Sequence, residues 1–440
     1  MLTGRLLAGR RIPPTLAGRR SLTGQALSLA ASTAISQVLY AVLLAGAARG
    51  SAPAAFGETV KAIGLGTFLA GVLDLGFTAY SLRELAAGRM RTGDYWDGLR
   101  TKLIVGVLLA GASTVVAAVC WRADLVAGAA VVALSRMLSV GAVVPNRAAC
   151  QTGRVGTVLL VERSAALAVF VAVTTAGSAG SLVAFWCALV TGAVLGGGVG
   201  VALSGGGREF LASWRPVNPW SAVGGYGTFT LAVNLGALDT VVLGIAGGSA
   251  HAGMYGAVSR WTQPVQLLSQ SYGAAAAPVI AAAGSAREAV RRTRGSLWLI
   301  GVGVAVCALL AAGAGRLVPV LLGEGYRDAA PVLALLSASA AVVLVNQPLV
   351  ALLQARGYDR LVGRATMTAV LAYLCGVWAL AGSWGADGAA LASLLAQGAL
   401  MTTLAFGVAV LLLRPPEVGN RTVPAGTPAS PETGQERTSL

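Results

Sequence analysis

Apolar runs of about 20 residues, the length needed to cross a bilayer, recur along almost the whole of this 440-residue chain. Twelve segments qualify, at roughly 25–48, 54–80, 102–121, 124–146, 155–176, 179–203, 219–247, 252–282, 295–314, 329–354, 361–382 and 387–413. Inside hydrocarbon each backbone N–H and C=O must be satisfied within the protein, so such runs fold as helices or closed barrels. Runs this long and continuously apolar read as helices. The expected fold is an all-α integral membrane protein with about 12 transmembrane helices. Composition agrees: 11% of residues are charged, against about 25% in soluble domains, and mean hydropathy is +0.74.

The few charges report topology. With the N-terminus in the cytoplasm, one side collects Arg5, Arg10, Arg11, Arg19 and Arg20, then Arg83, Arg89, Arg91, Arg100, Lys102, Arg147, Arg154, Arg208 and Arg215. Arg287, Arg291, Arg292, Arg294, Arg356, Arg360, Arg364 and the tail arginines follow on that side. The other side holds Arg49, Arg122, Arg316 and Arg327. That bias predicts an even number of spans with both termini cytoplasmic. The net charge of +15 is therefore a topology signal, and no nucleic-acid partner is expected. Five cysteines without a CxxC pair predict no metal site and no cofactor.

The halves resemble each other. Shifted by 199, the stretch from Leu39 lies over that from Leu238, with Phe56-Gly57 on Tyr255-Gly256 and Lys61 on Arg260. Both are a helix end, a short loop and a helix start running in the same direction. A parallel pseudo-repeat of two six-helix bundles follows, related by an axis along the membrane normal. The expected organisation is a basic tail (1–22), a first bundle (23–207), a cytoplasmic linker (208–218), a second bundle (219–414) and a polar, Pro-rich, disordered tail (415–440).

Several ionisable groups stay inside the spans: Lys61, Asp74, Arg136, Glu162, Arg163, Asp239 and Arg260. Each costs about 2.5–3.5 kcal/mol at mid-bilayer on insertion scales, so each needs a partner or a wet cavity. At 1.5 Å per residue, Asp239 and Arg260 both lie about 12 Å below the outer surface on adjacent helices. They form either an ion pair or part of a vestibule. Polar residues at helical spacing accompany them: Gln37 and Tyr40 in the first span, Asn234 in the seventh, Gln263 and Gln270 after Arg260, and Asn346 in the tenth. Such stripes line a cavity or bond between helices. Pro264 is expected to bend its helix. Cations outnumber acids inside, so the expected guest is an anion, phosphate or pyrophosphate, held by Lys61, Arg136, Arg163 and Arg260. Asp239 and Glu162 are assigned to charge balance or ion coupling.

Three stretches extend this reading: "FGETVKAIGLGTFLAGVLDLGFTAYSLRELA" (56–86), "LDTVVLGIAGGSAHAGMYGAVSRWTQP" (238–264) and "LLGEGYRDAAPVLALLSASAAVVLVNQPLVALLQARGYDR" (321–360). In order and spacing they resemble the oligosaccharide flippases of the polysaccharide-biosynthesis (Wzx-type) family, in the MOP superfamily with the MATE exporters. The resemblance implies a MATE-like fold of two bundles around a central cavity. It also implies movement of an undecaprenyl-pyrophosphate-linked oligosaccharide to the outer leaflet of a bacterial cell membrane by alternating access. Polysaccharide polymerase and glycosyltransferases would be protein partners, beside the lipid-linked substrate and membrane lipids. Asp74, in "LDLGF", matches a family pattern and reads as structural. The alternative is a MATE-like drug or cation antiporter coupled through Asp239 or Glu162. A glycan polymerase or ligase needs a large external loop with catalytic groups, and none of that size occurs. No Walker A, nucleophile elbow or carboxylate dyad occurs either, so the chain is not expected to be an enzyme.

Overall fold

A computed structural model describes residues 22–119, 123–177, 179–212, 214–221, 223, 226–265, 276, 280, 283 and 285–413. The tails 1–21 and 414–440, and Gln270, lie outside the described residues. The first bundle contains α1 (Leu22–Arg49), α2 (Pro53–Asp74), α3 (Phe77–Ala86), α4 (Thr92–Val119), α5 (Ala123–Ala142), α6 (Val144–Ala148), α7 (Thr152–Thr175) and α8 (Ser181–Leu203). A short α9 (Gly207–Leu211) leads to the second bundle: α10 (Tyr226–Leu235), α11 (Asp239–Ala246), α12 (Ser249–Ser259), α13 (Ala286–Thr293), α14 (Trp298–Leu322), α15 (Ala330–Ala355) and α16 (Asp359–Leu413).

Among the described residues, nine helices are long and apolar enough to cross a membrane. The last of them is a hairpin. Gly385 has φ 53° and ψ −130°, a conformation open in practice to glycine alone. Gly376 then faces Ala392, and Gly388 faces the Leu380 carbonyl, as two antiparallel arms require. Counting both arms, with α10–α11 and the span opened by α12, gives the twelve helices expected. A Cβ on Gly385 would meet the His251 ring at 2.3 Å. Gly385→Ala is therefore expected to cost about 1–3 kcal/mol of stability, read as a lowered Tm in detergent.

The spans present apolar side chains outward. Val115, Val116, Leu309 and Phe406 are each about two-thirds exposed or more (68%, 65%, 72% and 72%), which hydrocarbon tolerates and water does not. The chain is a multi-pass membrane protein.

The bundles meet along α2, against α10, α11 and α12, most closely at the end carrying the α1–α2 and α11–α12 connections, the joined end. One apolar core there draws on both: Leu43, Phe56 and Val60 pack with Leu243, Tyr255, Val258 and Tyr326. Phe56 and Tyr326 meet edge-on with centroids 6.3 Å apart, and Arg49 Nη1 donates to the Val320 carbonyl at 2.8 Å. The approach of α2 to α12 is glycine-made and reciprocal. A Cβ on Gly57 would lie 1.7 Å from the Ser249 carbonyl oxygen, and one on Gly253 would lie 2.0 Å from that of Pro53. These pairs are offset by 196, as are the helix starts Pro53 and Ser249. The sequence shift of 199 thus matches similar faces nearly one helical turn out of register, because a three-residue slip almost preserves the face of a 3.6-residue helix. Gly57→Ala is expected to cost about 1–3 kcal/mol through overpacking. Gly111→Ala, in open space on α4, should be neutral or slightly stabilising. Thermal unfolding of the two variants in parallel checks both outcomes.

At the opposite end a second core holds Phe77, Tyr95, Trp96 and Leu99. Lys102 Nζ reaches Asp74 Oδ1 at 2.7 Å, and Thr78 Oγ1 donates to the same oxygen at 2.6 Å, which gives Asp74 the structural role expected of it. The linker is docked on the first bundle, where Arg100 donates to the Phe210 and Ala212 carbonyls, and just past it Trp220 Nε1 donates to that of Leu73.

Candidate functional site

Both intramembrane charges of the second bundle sit where their helices tighten. Pro264 has no N–H to give the Arg260 carbonyl. That carbonyl is taken instead by Gln263 N–H, in a 3₁₀ turn over Arg260–Thr262. The tightened turn thus lies just ahead of Pro264. A matching 3₁₀ turn, Gly236–Leu238, delivers Asp239. Short 3₁₀ stretches inside a span recur at functional hinges.

The Arg260 turn packs against α1. Beyond it, three guanidiniums approach one another from different helices. Arg136 lies near the middle of the span Asp124–Ala148, and its electrostatic neighbours are Arg260, Tyr40, Arg163 and Glu162. It is exposed despite that depth, and its neighbours from α1, α7 and the second bundle set it inward, so it borders open space between the bundles. Arg163 lies over the Tyr40 ring, 4.5 Å from the centroid, and pairs with Glu162 Oε1 at 3.2 Å. Glu162 is buried, its stem against the surface that Gly196 leaves free. Among the described residues no carboxylate pairs within 4 Å of Arg136 or Arg260. One acid among three cations leaves the group positive. Gln263 is half-buried one turn past Arg260, and Gln37 is half-buried one turn before Tyr40.

Asp239 is not in a salt bridge with Arg260. Its Oδ2 accepts from Tyr373 at 3.0 Å and Tyr255 at 3.3 Å, and its Oδ1 accepts from Thr240 N–H at 2.6 Å. The two tyrosine hydroxyls lie 2.7 Å apart. Arg260 acts on Asp239 only through the longer-range field. The tyrosines replace the ion pair because they reach the carboxylate from α12 and α16 at hydrogen-bond distance.

Lys61 is not brought to the arginines. Its stem crosses Gly244, where a Cβ would lie 2.2 Å away. Its Nζ pairs with Glu58 at 2.7 Å and donates to Ser249 Oγ at 3.0 Å, while Ser249 also donates to Glu58. A cavity of about 410 Å³ there is lined by Glu58, Lys61, Gly244, Ile245 and Ser249, at the joined end. Asn234 is wedged against Gly71 of α2 and donates to the Thr230 carbonyl. Asn346 is buried and donates to Gln397. Sequence reasoning missed Tyr255, Tyr373, Glu58 and Ser249. Only Tyr255 had a local signal, lying five residues before Arg260.

No family model matches the chain, and no curated protein matches it. Solved structures do. An inward-closed lipid II flippase MurJ aligns over 87% of both chains, at TM-score 0.62 and 10% identity. The chain has a MurJ-like fold. An inward-facing multidrug-resistance MATE transporter of the MOP superfamily aligns over 85% of this chain and 95% of its own, at TM-score 0.57 and 17% identity. The eukaryotic MATE transporter AtDTX14 aligns over 88% of this chain and 94% of its own, at TM-score 0.53 and 14% identity.

Proposed function

We propose that this protein is a flippase. It carries an undecaprenyl-pyrophosphate-linked oligosaccharide from the cytoplasmic to the outer leaflet by alternating access. The observation that carries the reading is the meeting of Arg136 and Arg163 of the first bundle with Arg260 of the second, with Glu162 as their acid neighbour. A pyrophosphate suits such a group: guanidiniums hold it through paired charge-assisted hydrogen bonds. The sugars occupy polar space near Gln37, Tyr40 and Gln263, and the lipid tail stays in the bilayer. The positive-inside bias supports an outer placement of the joined end. Lys61 then serves the outer closure with Glu58 and Ser249. Likeness to a lipid II flippase supports a lipid-linked cargo. The test is reconstitution in liposomes: a pyrophosphate-linked glycolipid should be moved across the bilayer, and a neutral lipid of equal chain length should not.

A second reading, cation or drug antiport, is favoured by Asp239 between Tyr255 and Tyr373, a carboxylate suited to carrying a proton or cation. In this reading organic cation uptake depends on Asp239, and Asp239→Asn abolishes it. Under the flippase reading organic cations are not substrates, and the same assay separates the two.

A further inference from the structure

The ends of the bundles away from the joined end differ in how they neutralise their cations. In the first bundle three cations have built-in counterions: Arg89 is bidentate to Glu84, Arg100 pairs with Asp97, and Lys102 pairs with Asp74, while exposed Arg91, Arg147 and Arg154 pair with no carboxylate among the described residues. The corresponding segment of the second bundle is α13 and the start of α14, and it is not balanced in this way. Ser285 Oγ accepts from Glu288 N–H at 3.2 Å, and the Ser-x-x-Glu spacing starts the helix. Ala289 and Thr293 are buried one turn apart and fix the face that docks. Arg287, Arg291, Arg292 and Arg294 are then exposed. Glu288 pairs with Arg292 at 2.5 Å. Among the described residues no carboxylate pairs with Arg287, Arg291 or Arg294. Arg287 reaches the Leu412 carbonyl at 3.4 Å, at the end of the α16 hairpin whose other arm begins with exposed Arg360 and Arg364. Exposed Val290, Leu297 and Trp298 lie among these arginines, Trp298 at 64%.

We propose that α13 and the first turn of α14 form a binding site for the phosphate headgroups of anionic phospholipids. Guanidiniums spaced i, i+4 and i+7 present a row of donors to phosphate oxygens. Val290, Leu297 and Trp298 enter the glycerol–acyl boundary, where tryptophan is favoured. The leaflet thus supplies to this cluster the counterions that Arg89, Arg100 and Lys102 draw from neighbouring carboxylates. The site is separate from the cargo reading, since none of its residues belongs to the Arg136–Arg163–Arg260 group.

The test uses the full chain, purified in neutral detergent and titrated with phosphatidylglycerol or phosphatidylcholine. Retained lipid is read by native mass spectrometry and stability by Tm. Phosphatidylglycerol should be retained and should raise Tm; phosphatidylcholine should not. Each guanidinium near the headgroups contributes about 1 kcal/mol, so Arg291→Gln should weaken retention about fivefold and the triple variant Arg287→Gln/Arg291→Gln/Arg294→Gln far more. Arg89→Gln, whose charge is already paired, should retain lipid like wild type. If the triple variant does not fold, Arg291→Gln and the loss of wild-type retention in raised salt decide the matter. Equal retention of the two lipids, or undiminished retention by Arg291→Gln, would overturn the proposal. Stabilisation by inorganic phosphate or an acidic peptide matching that by lipid would overturn the headgroup assignment.

Discussion

Replacing Arg260 by alanine is expected to abolish glycolipid export while leaving the protein in the membrane. Arg260 is the second bundle's contribution to the cationic group, so its loss removes the anion's hold on one of the two bodies that must move. A charge-assisted hydrogen bond contributes about 1.5–3 kcal/mol, a ten- to hundredfold loss of affinity before any effect on turnover. Arg136→Ala should match it, because among the described residues no carboxylate lies within 4 Å of Arg136. Arg163→Ala should cost less, since Glu162 and Tyr40 already engage that guanidinium. Arg260→Lys keeps the charge but not the planar fork and should fall between. Reconstituted translocation rates check the series. Wild-type rates from both Arg260→Ala and Arg136→Ala would sink the site assignment.

The largest expected loss of stability lies elsewhere, at Lys102. Its side chain is 2% exposed, and that of Asp74 is 16% exposed. Removing one partner of such a pair strands the other charge and costs about 3–5 kcal/mol, whereas removing both can be nearly neutral. Lys102→Met should therefore lower Tm sharply, and Asp74→Asn/Lys102→Met should recover much of the loss. Thr78 continues to serve the asparagine side chain in the double variant. Additive losses would show that packing of the lysine stem against Phe77, rather than the charge pair, dominates the site.

Helix count and the break near residue 385 were legible in the sequence because they rest on local pattern: apolar run length and a Gly-rich gap. Arg136, Arg163 and Arg260 were legible for the same reason, since a guanidinium inside an apolar run is conspicuous wherever the run packs. What stayed hidden depends on contacts distant in the chain. Tyr373 lies 134 residues from Asp239, and a tyrosine within a span is no signal by itself. Lys61 was conspicuous too, but its partner Ser249 is a small polar residue in a short connection, indistinguishable from any other turn serine. The repeat register slipped by three because composition marks a helix's face better than its level.

The crossing of α2 and α12 has a mechanical consequence. Gly57 and Gly253 bring two backbones together with no side chain interlocked between them at that point. Surfaces matched by smoothness part without any torsion having to flip, and re-form without searching for one. If the proposed cycle opens this seam once per cargo, the seal is close-fitting when shut yet not jammed by its own teeth.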